Sequence, residues 1–371
     1  MIYLETGKMS WDESYGMGRY INELVKRGIY QYVLCAKSQA HFVPKIHGLE
    51  VIALDDIGYR DNLSEYILNH MDADDVVHFP ANLICANIDS IPNNVKLILT
   101  VHDITPIFYY KNKRRNGNFF SDGESVSTRQ FEENLREFLP RVDHVITVSE
   151  NTKKDIISYF NIEGKKISVV YNGIDAKFIK YSKEKLADVK KSYHLENEKL
   201  VMVLTGGKHK NIIRVVVAFY FYCILNKNED IKLILVGKTN KKMVALTYFL
   251  RRMKKAVLTG RVSDEVLVDY YNIVDSFIFA SLYEGFGLPL LEAMACGSFV
   301  ICSDNSSLGE LGRGYAYLIN PRSIKEIMNG FSKVKKLSDN EIGKQREYIG
   351  RFTWDNSANQ HEVIINNLVN I

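Results

Sequence analysis

Short apolar runs alternate along this chain with longer stretches in which apolar residues recur at helical spacing. Runs of four to six residues rich in Val, Ile, Leu and Phe, bounded by turn residues, read as strands buried on both faces. In the first half they fall at 2–4, 30–35, 51–54, 76–79, 95–100 and 142–148. In the second half they fall at 200–204, 231–236, 257–259, 275–280 and 298–302. The spacing predicts helices from Ile21, over 62–70 and 128–139, from Ile212, up to Asn272 and from Pro289, and Ser149 reads as the N-cap of another. Strand and helix alternate in both halves, which predicts an α/β protein built from two doubly wound, parallel-sheet domains. The charged segment 180–198 reads as the separator, with the boundary near 178.

The most sharply patterned stretch is 275–312. An apolar run is followed by Glu284-Gly285-Phe286-Gly287, then by Pro289 where a first helical turn tolerates its missing N–H. Leu290, Leu291, Ala293 and Met294 carry the helix to Gly297, and a second apolar run follows. Glycines let backbone N–H groups approach a ligand closely, and a helix N-terminus favours an anion. With Glu284 and Glu292 as acceptors, the loop suits a ligand that is both hydroxyl-rich and phosphorylated. Taken singly, the two acids are equally a loop charge and a solvated helix residue.

Other segments carry weaker chemistry. Gly16 and Gly18 open a helix, but Ile21 stands where a dinucleotide fingerprint needs a third glycine. Thr205-Gly206-Gly207-Lys208-His209-Lys210-Asn211 joins glycines, bases and a helix start into an anion cradle. His102 and Asp103 stand at the carboxyl end of a strand, where parallel sheets bind ligands. Asn172-Gly173 reads as a turn. Asp72 and Asp74 have the D-x-D spacing of some metal sites, yet acids at a helix-to-strand turn are commonplace. The segment 108–120 interleaves aromatics with bases, as bilayer-interface segments and mobile acceptor loops both do.

Composition adds bounds. With 371 residues, 46% hydrophobic and 25% charged, the chain is of globular type with about two domains. No run reaches the ~18 apolar residues of a membrane span, and the N-terminal residues have no leader pattern, so a cytoplasmic location is expected. The 5 cysteines are spaced as reduced core thiols. Residues 1–178 carry 20 Lys and Arg against 24 Asp and Glu, whereas 179–371 carry 28 against 20. A basic second half suits a diphosphate, and no nucleic-acid motif accompanies the charge.

Within EGFGLPLLEAMACG, seven residues separate Glu284 from Glu292. This string closely resembles the donor-sugar signature of glycosyltransferase family 4, retaining nucleotide-sugar enzymes of the GT-B fold. The resemblance extends to the GRY, HD, NG and GG…KN segments and covers nearly the whole chain. It implies two Rossmann-like domains facing across a cleft, with 1–178 on the acceptor side, 179–352 binding the donor and a helix over 353–371 crossing back. Lys210 takes the place of the lysine that neutralises the donor diphosphate. The arginine that usually accompanies it is missing, so Lys208 or His209 is left to substitute.

The same resemblance places Gly16 and Gly18 against the donor and His102, with Asp103 on the acceptor side, near the reacting sugar. Arg261 and Val262 border the base. Glu284 with Gly285, Phe286, Gly287 and Leu288 holds the sugar, and Glu292 accepts from the ribose. The implied reaction is transfer of a sugar from a GDP- or UDP-sugar to a glycan or lipid-linked acceptor with retained configuration. Bacterial surface-polysaccharide assembly of the O-antigen or capsule kind is the expected setting. No metal or other cofactor is expected, no nucleic acid, and peripheral contact with the inner face of the cell membrane is expected through 108–120. A non-catalytic sugar-nucleotide or glycan-binding protein and a GT-B nucleotide-sugar epimerase are the alternatives.

Overall fold

A computed structural model describes residues 1–12, 16–81, 86–108, 126–195, 198–227, 229–239 and 241–369. The chain divides into two compact units, Met1–Gly173 with Thr353–Ile371, and Ile174–Phe352.

The first unit is a seven-stranded parallel sheet of β1 (Ile2–Gly7), β2 (Tyr32–Ala36), β3 (Glu50–Leu54), β4 (Val76–Phe79), β5 (Lys96–Val101), β6 (His144–Thr147) and β7 (Ile167–Val169). Its strand order is β3-β2-β1-β4-β5-β6-β7, so the winding reverses between β1 and β4. Central strands need apolar residues on both faces, which is why they read as continuous apolar runs. In β5, Leu97, Leu99 and Val101 enter one core cluster and Ile98 the other. The second cluster also takes Trp354, Ala358 and Ile365 from the helix Trp354–Val369.

The second unit is a six-stranded parallel sheet of β8 (Lys199–Leu204), β9 (Ile231–Val236), β10 (Ala256–Gly260), β11 (Ser276–Phe279), β12 (Phe299–Ser303) and β13 (Tyr317–Ile319). The order is β10-β9-β8-β11-β12-β13, with the reversal between β8 and β11. The helices Ile212–Leu225 and Ile324–Phe331 pack on one face around Phe219, Tyr222 and Phe331. Both doubly wound sheets thus stand as the sequence pattern predicted, and Ser149 caps its helix by accepting from Thr152 N at 3.1 Å.

Two local readings change. The charged segment 180–198, within the stretch 179–352 expected to form the second domain, holds the helix Lys183–Ser192, capped by Ser182. Tyr181 N donates to Asn272 Oδ1 at 2.8 Å and the Tyr181 hydroxyl to Asp269 at 2.9 Å. The division between units falls at Gly173 and Ile174, a few residues before the expected position near 178, where Phe178 packs against Tyr271 and Lys177 pairs with Asp264 at 2.6 Å. Gly173 is required by close approach and not by a turn: a Cβ there would stand 2.2 Å from Trp354 N.

Candidate donor and acceptor sites

In a doubly wound sheet, the loops following the two strands at the reversal point open side by side at their carboxyl ends. In the second unit those loops are 205–211 after β8 and 280–287 after β11. Leu282 N donates to His209 O at 2.8 Å, fastening one loop to the other. Asn211 completes the joint, with Nδ2 donating to Ala280 O at 3.0 Å and to Pro321 O at 2.6 Å. Its backbone is left-handed, with φ 60°, a conformation asparagine tolerates better than most residues. Gly206 and Gly207 also have positive φ, 120° and 73°, so the cradle's shape depends on both glycines. Replacing Asn211 by alanine is expected to cost about 2–3 kcal/mol, from two buried acceptors left unmatched and a left-handed backbone without its side-chain bonds. Urea unfolding of the purified variant measures this, and a loss under about 0.5 kcal/mol would show the joint to be dispensable.

On this frame Lys210 and Glu284 meet. Lys210 Nζ donates to Glu284 Oε1 at 2.8 Å, and the two side chains are only 17% and 15% exposed. The ammonium also lies 4.4 Å from the Phe279 ring centre, a further attraction for a cation. Ser281 Oγ donates to the same Oε1 at 2.7 Å, and His209 Nε2 lies 3.7 Å from it. All these partners gather on Oε1, so Oε2 has no protein partner among the described residues. The backbone of Glu284 is held as well: its N–H donates to Ser306 Oγ at 3.2 Å, and Ser307 Oγ donates to its carbonyl at 2.9 Å.

Beyond Glu284 the loop turns through Gly287, whose φ of 107° and contact with Leu308 admit no side chain, and enters the helix Leu288–Ala295. Gly285, Phe286 and Gly287 are buried and Leu288 half-buried. Phe286 packs edge-on toward Phe352 at 6.2 Å, so its ring is part of the loop's packing. Glu292 is buried in that helix, accepting from the Tyr271 hydroxyl at 3.2 Å. A cavity of about 370 Å³ lies at the ends of β12 and β13, lined by Asp304, Asn305, Asn320, Arg322 and Glu326. Through Asn305, which donates to Leu282 O at 2.9 Å, it borders the Glu284 loop.

The remaining donor-side residues are dispersed. Lys208 is exposed on the same short turn as Lys210. Arg261 and Val262 follow β10, two strands from β8 in the sheet order, and Arg261 is exposed. Ser281, Ser306 and Ser307 fix the acid and its loop, yet the chain pattern did not single them out as site residues; Asn211 stood in the cradle segment without its joining role being visible. The one signal was Ser306-Ser307 at the start of a helix that follows a buried strand.

In the first unit, Gly18 has a packing duty: a Cβ there would stand 2.2 Å from Asp12 O. Gly16 is exposed where the helix Gly16–Lys26 begins. His102 is half-buried, and its Nε2 is 2.8 Å from Pro80 O. A carbonyl can only accept, so Nε2 carries the proton and Nδ1 is the acceptor nitrogen. Burial lowers the His102 pKa below its usual value, which leaves the imidazole neutral at pH 7. Asp103 Oδ1 accepts from Thr105 N at 2.8 Å, a local turn bond. Asp75 accepts from Asp72 N at 2.9 Å, so the D-x-D segment closes on itself as a helix-to-strand turn. The segment 109–120 and Tyr15 lie outside the described residues; Phe108 is described, and its ring lies 6.2 Å from that of Tyr159.

Behind His102 runs a buried polar chain. Tyr20 packs edge-on to His102 at 4.7 Å, and its hydroxyl lies 2.7 Å from His361 Nε2 and 3.0 Å from Thr100 Oγ1. His78 bridges Thr100 Oγ1 at 2.7 Å and the Tyr30 hydroxyl at 2.6 Å. Burial holds the pKa values of both histidines down, that of His361 to about 4, so both rings are neutral at pH 7. His361 Nδ1 lies 2.7 Å from Ser357 O, and with neutral rings that carbonyl fixes the order of donors: His361 donates to Ser357, Tyr20 to His361, Thr100 to Tyr20, His78 to Thr100, and Tyr30 to His78.

Both units resemble known proteins. A family model described as Glycosyltransferase Family 4 matches residues 16–178, and one described as Glycosyl transferases group 1 matches 183–353. The O-antigen chain mannosyltransferase RfbU of Salmonella typhimurium is 29% identical over 280 residues, covering 74% of this chain and 70% of its own. The serotype-specific mannosyltransferase WbdA of Escherichia coli is 26% identical over 276 residues, covering 71% of this chain. That match spans 32% of WbdA, about a third of its length. Among solved structures, Anabaena HepE in complex with UDP superimposes with a TM-score of 0.70 at 15% identity, covering 99% of each chain. Among the described residues no helix is long and apolar enough to cross a membrane.

Proposed function

The chain belongs to the glycosyltransferases of the family 4 type with the GT-B fold, and on that premise we propose that it moves a sugar from a nucleoside diphosphate donor to an acceptor hydroxyl. The observation that carries the reading is the Lys210–Glu284 pair at the β8/β11 reversal, 2.8 Å apart and largely enclosed. Breaking the anomeric C–O bond puts negative charge on the departing diphosphate and positive character on the sugar. Lys210, with exposed Lys208 on the same turn, opposes the first. Glu284 Oε2 and the backbone N–H groups from Gly285 to Leu288 receive the sugar hydroxyls, and Glu292 the ribose. No step needs a metal, because lysine side chains and backbone N–H groups supply the positive charge.

Retention follows if the acceptor oxygen attacks the face the phosphate leaves. The new C–O bond forms as the old one breaks, and the acceptor's proton passes to a phosphate oxygen. His102, neutral with its Nδ1 as acceptor, orients a hydroxyl on the acceptor side. Two relatives named as mannosyltransferases favour a mannosyl donor and surface-polysaccharide assembly, while the UDP held by HepE supports a uridine nucleotide. Thermal-shift titration with UDP-, GDP-, ADP- and dTDP-sugars separates these. A true donor at 100 times its Kd adds about 2.7 kcal/mol of apparent stability, and Glu292→Gln is expected to reduce that shift. If none of the panel stabilises the folded wild type, the donor-site reading falls and a binding protein without transfer replaces it.

A further inference from the structure

The second unit carries a surface that the donor site does not use. After β9 the chain runs through two short helices, Lys241–Leu246 and Tyr248–Arg252, to Lys255. The sequence KKMVALTYFLRRMKK holds six bases and no acid. Its inner face is accounted for: Leu250 is buried, and Met243 and Leu246 pack on the unit's core cluster. The outer face is not. Val244, Tyr248, Phe249 and Met253 are 40%, 50%, 65% and 44% exposed, and the Tyr248 and Phe249 rings sit edge to face at 5.4 Å. Single exposed apolar residues are ordinary, but four within ten residues beside a core-facing apolar stripe call for a partner.

The charges point the same way. Lys255 is tied to Glu229 O at 2.7 Å and to Asp230 at 3.3 Å. Lys241, Lys242, Arg251, Arg252 and Lys254 have no acid within ion-pair distance among the described residues. The neighbouring helix Ile212–Leu225 packs on the same core cluster, hence on the same sheet face, and also exposes Phe221 and Leu225. Five uncompensated bases around outward aromatic and aliphatic side chains match the chemistry of an interfacial segment: rings and aliphatics at headgroup depth, bases on anionic phosphates.

We propose that residues 241–255 dock the second unit on an anionic lipid bilayer. Single-stranded nucleic acid would reward the bases and rings but gains nothing from Val244, Met253 or Leu225, and so fits the surface less well. Such docking would hold the donor-binding unit at the surface where a lipid-linked acceptor resides. It stands apart from the donor chemistry, so nucleotide binding and membrane binding can fail separately.

Flotation with phosphatidylcholine vesicles, with and without phosphatidylglycerol, tests this on the full chain. Wild type is expected to partition at least ~10-fold more onto the anionic vesicles, with the excess falling as salt rises. Arg251→Glu/Arg252→Glu is expected to remove most of that excess, and Tyr248→Ser/Phe249→Ser to lower binding at every salt concentration. These side chains are exposed, so melting temperatures stay unchanged; Lys241→Glu/Lys242→Glu serves as the charge variant should the arginine pair fail to fold. No anionic preference in wild type, or variants that float like wild type, would overturn the proposal. Displacement from vesicles by an RNA oligomer, with loss of RNA binding in the Tyr248/Phe249 variant, would overturn it in favour of nucleic acid.

Discussion

Lys210→Ala is expected to lower kcat/KM for sugar transfer by roughly 10²–10³-fold, the range for losing one preorganised charge partner of a transition state. The variant removes the enclosed cation of the cradle while leaving the strand, the glycines and Asn211 in place. Its cost to folding is smaller, because Ser281 still donates to Glu284 Oε1 and the carboxylate keeps some contact with water. Activity and thermal stability measured on one preparation separate the two effects. A folded variant with more than about a tenth of wild-type kcat/KM would remove Lys210 from the chemistry. Glu284→Gln is the companion: it keeps the shape and the Ser281 contact but weakens the hold on both Lys210 and the sugar hydroxyls.

The second large effect is on stability against pH, and it belongs to the first unit. Glu5 is buried at the end of β1, where burial raises its pKa from 4.5 to about 8 despite a bond from the Tyr59 hydroxyl. Between those values the native state holds a proton that the unfolded chain has lost, so stability falls as pH rises, by up to ~5 kcal/mol in total. His361 works in the opposite sense. With its pKa lowered from 6.5 to about 4, the unfolded chain binds the extra proton, and stability falls as pH drops through that window by up to ~3 kcal/mol. His78, also lowered, adds to the acid side.

Between pH 4.5 and 8, wild type should therefore be most stable near pH 6.5: below it the two histidines together outweigh Glu5, and above it Glu5 alone brings the decline. Glu5→Gln removes the alkaline decline, so its advantage over wild type grows through this range and then stays constant. Both tryptophans, Trp11 and Trp354, lie in the first unit's core, so tryptophan fluorescence follows this unit alone. Parallel melting profiles for wild type and Glu5→Gln from pH 5 to 9 would refute a buried, proton-holding Glu5.

The strands and the donor loops were legible because they obey period and punctuation. Parallel strands buried on both faces give unbroken apolar runs, and the Glu284 loop announces itself by glycines and proline between two such runs. The helix Lys183–Ser192 was read as a separator because its own face is polar and none of its residues is buried. Its place in the second unit rests on flanking Tyr181, whose partners Asp269 and Asn272 lie some ninety residues away. Gly18 and Gly173 look alike in sequence to glycines that admit a ligand or a turn. What they admit is a backbone carbonyl and the backbone N–H of Trp354, contacts made only once the chain has folded. The Tyr30–His78–Thr100–Tyr20–His361 chain left no trace in sequence, since its members come from four separate elements and a loop and no spacing joins them.

The helix Trp354–Val369 completes the first unit's core, although the whole second unit is encoded between them. A ribosome adding ~5–20 residues per second needs roughly 10–35 s to pass from Gly173 to Trp354. Through that interval the nascent first unit has Ile98, Ile146 and Tyr20 uncovered where Trp354, Ala358 and Ile365 will sit, and the Tyr20 hydroxyl lacks its histidine. The second unit has all its strands in one continuous stretch and can close as soon as it leaves the exit tunnel. The unit made first is thus the unit finished last, and chaperones that shield exposed nascent surface would act on its open sheet.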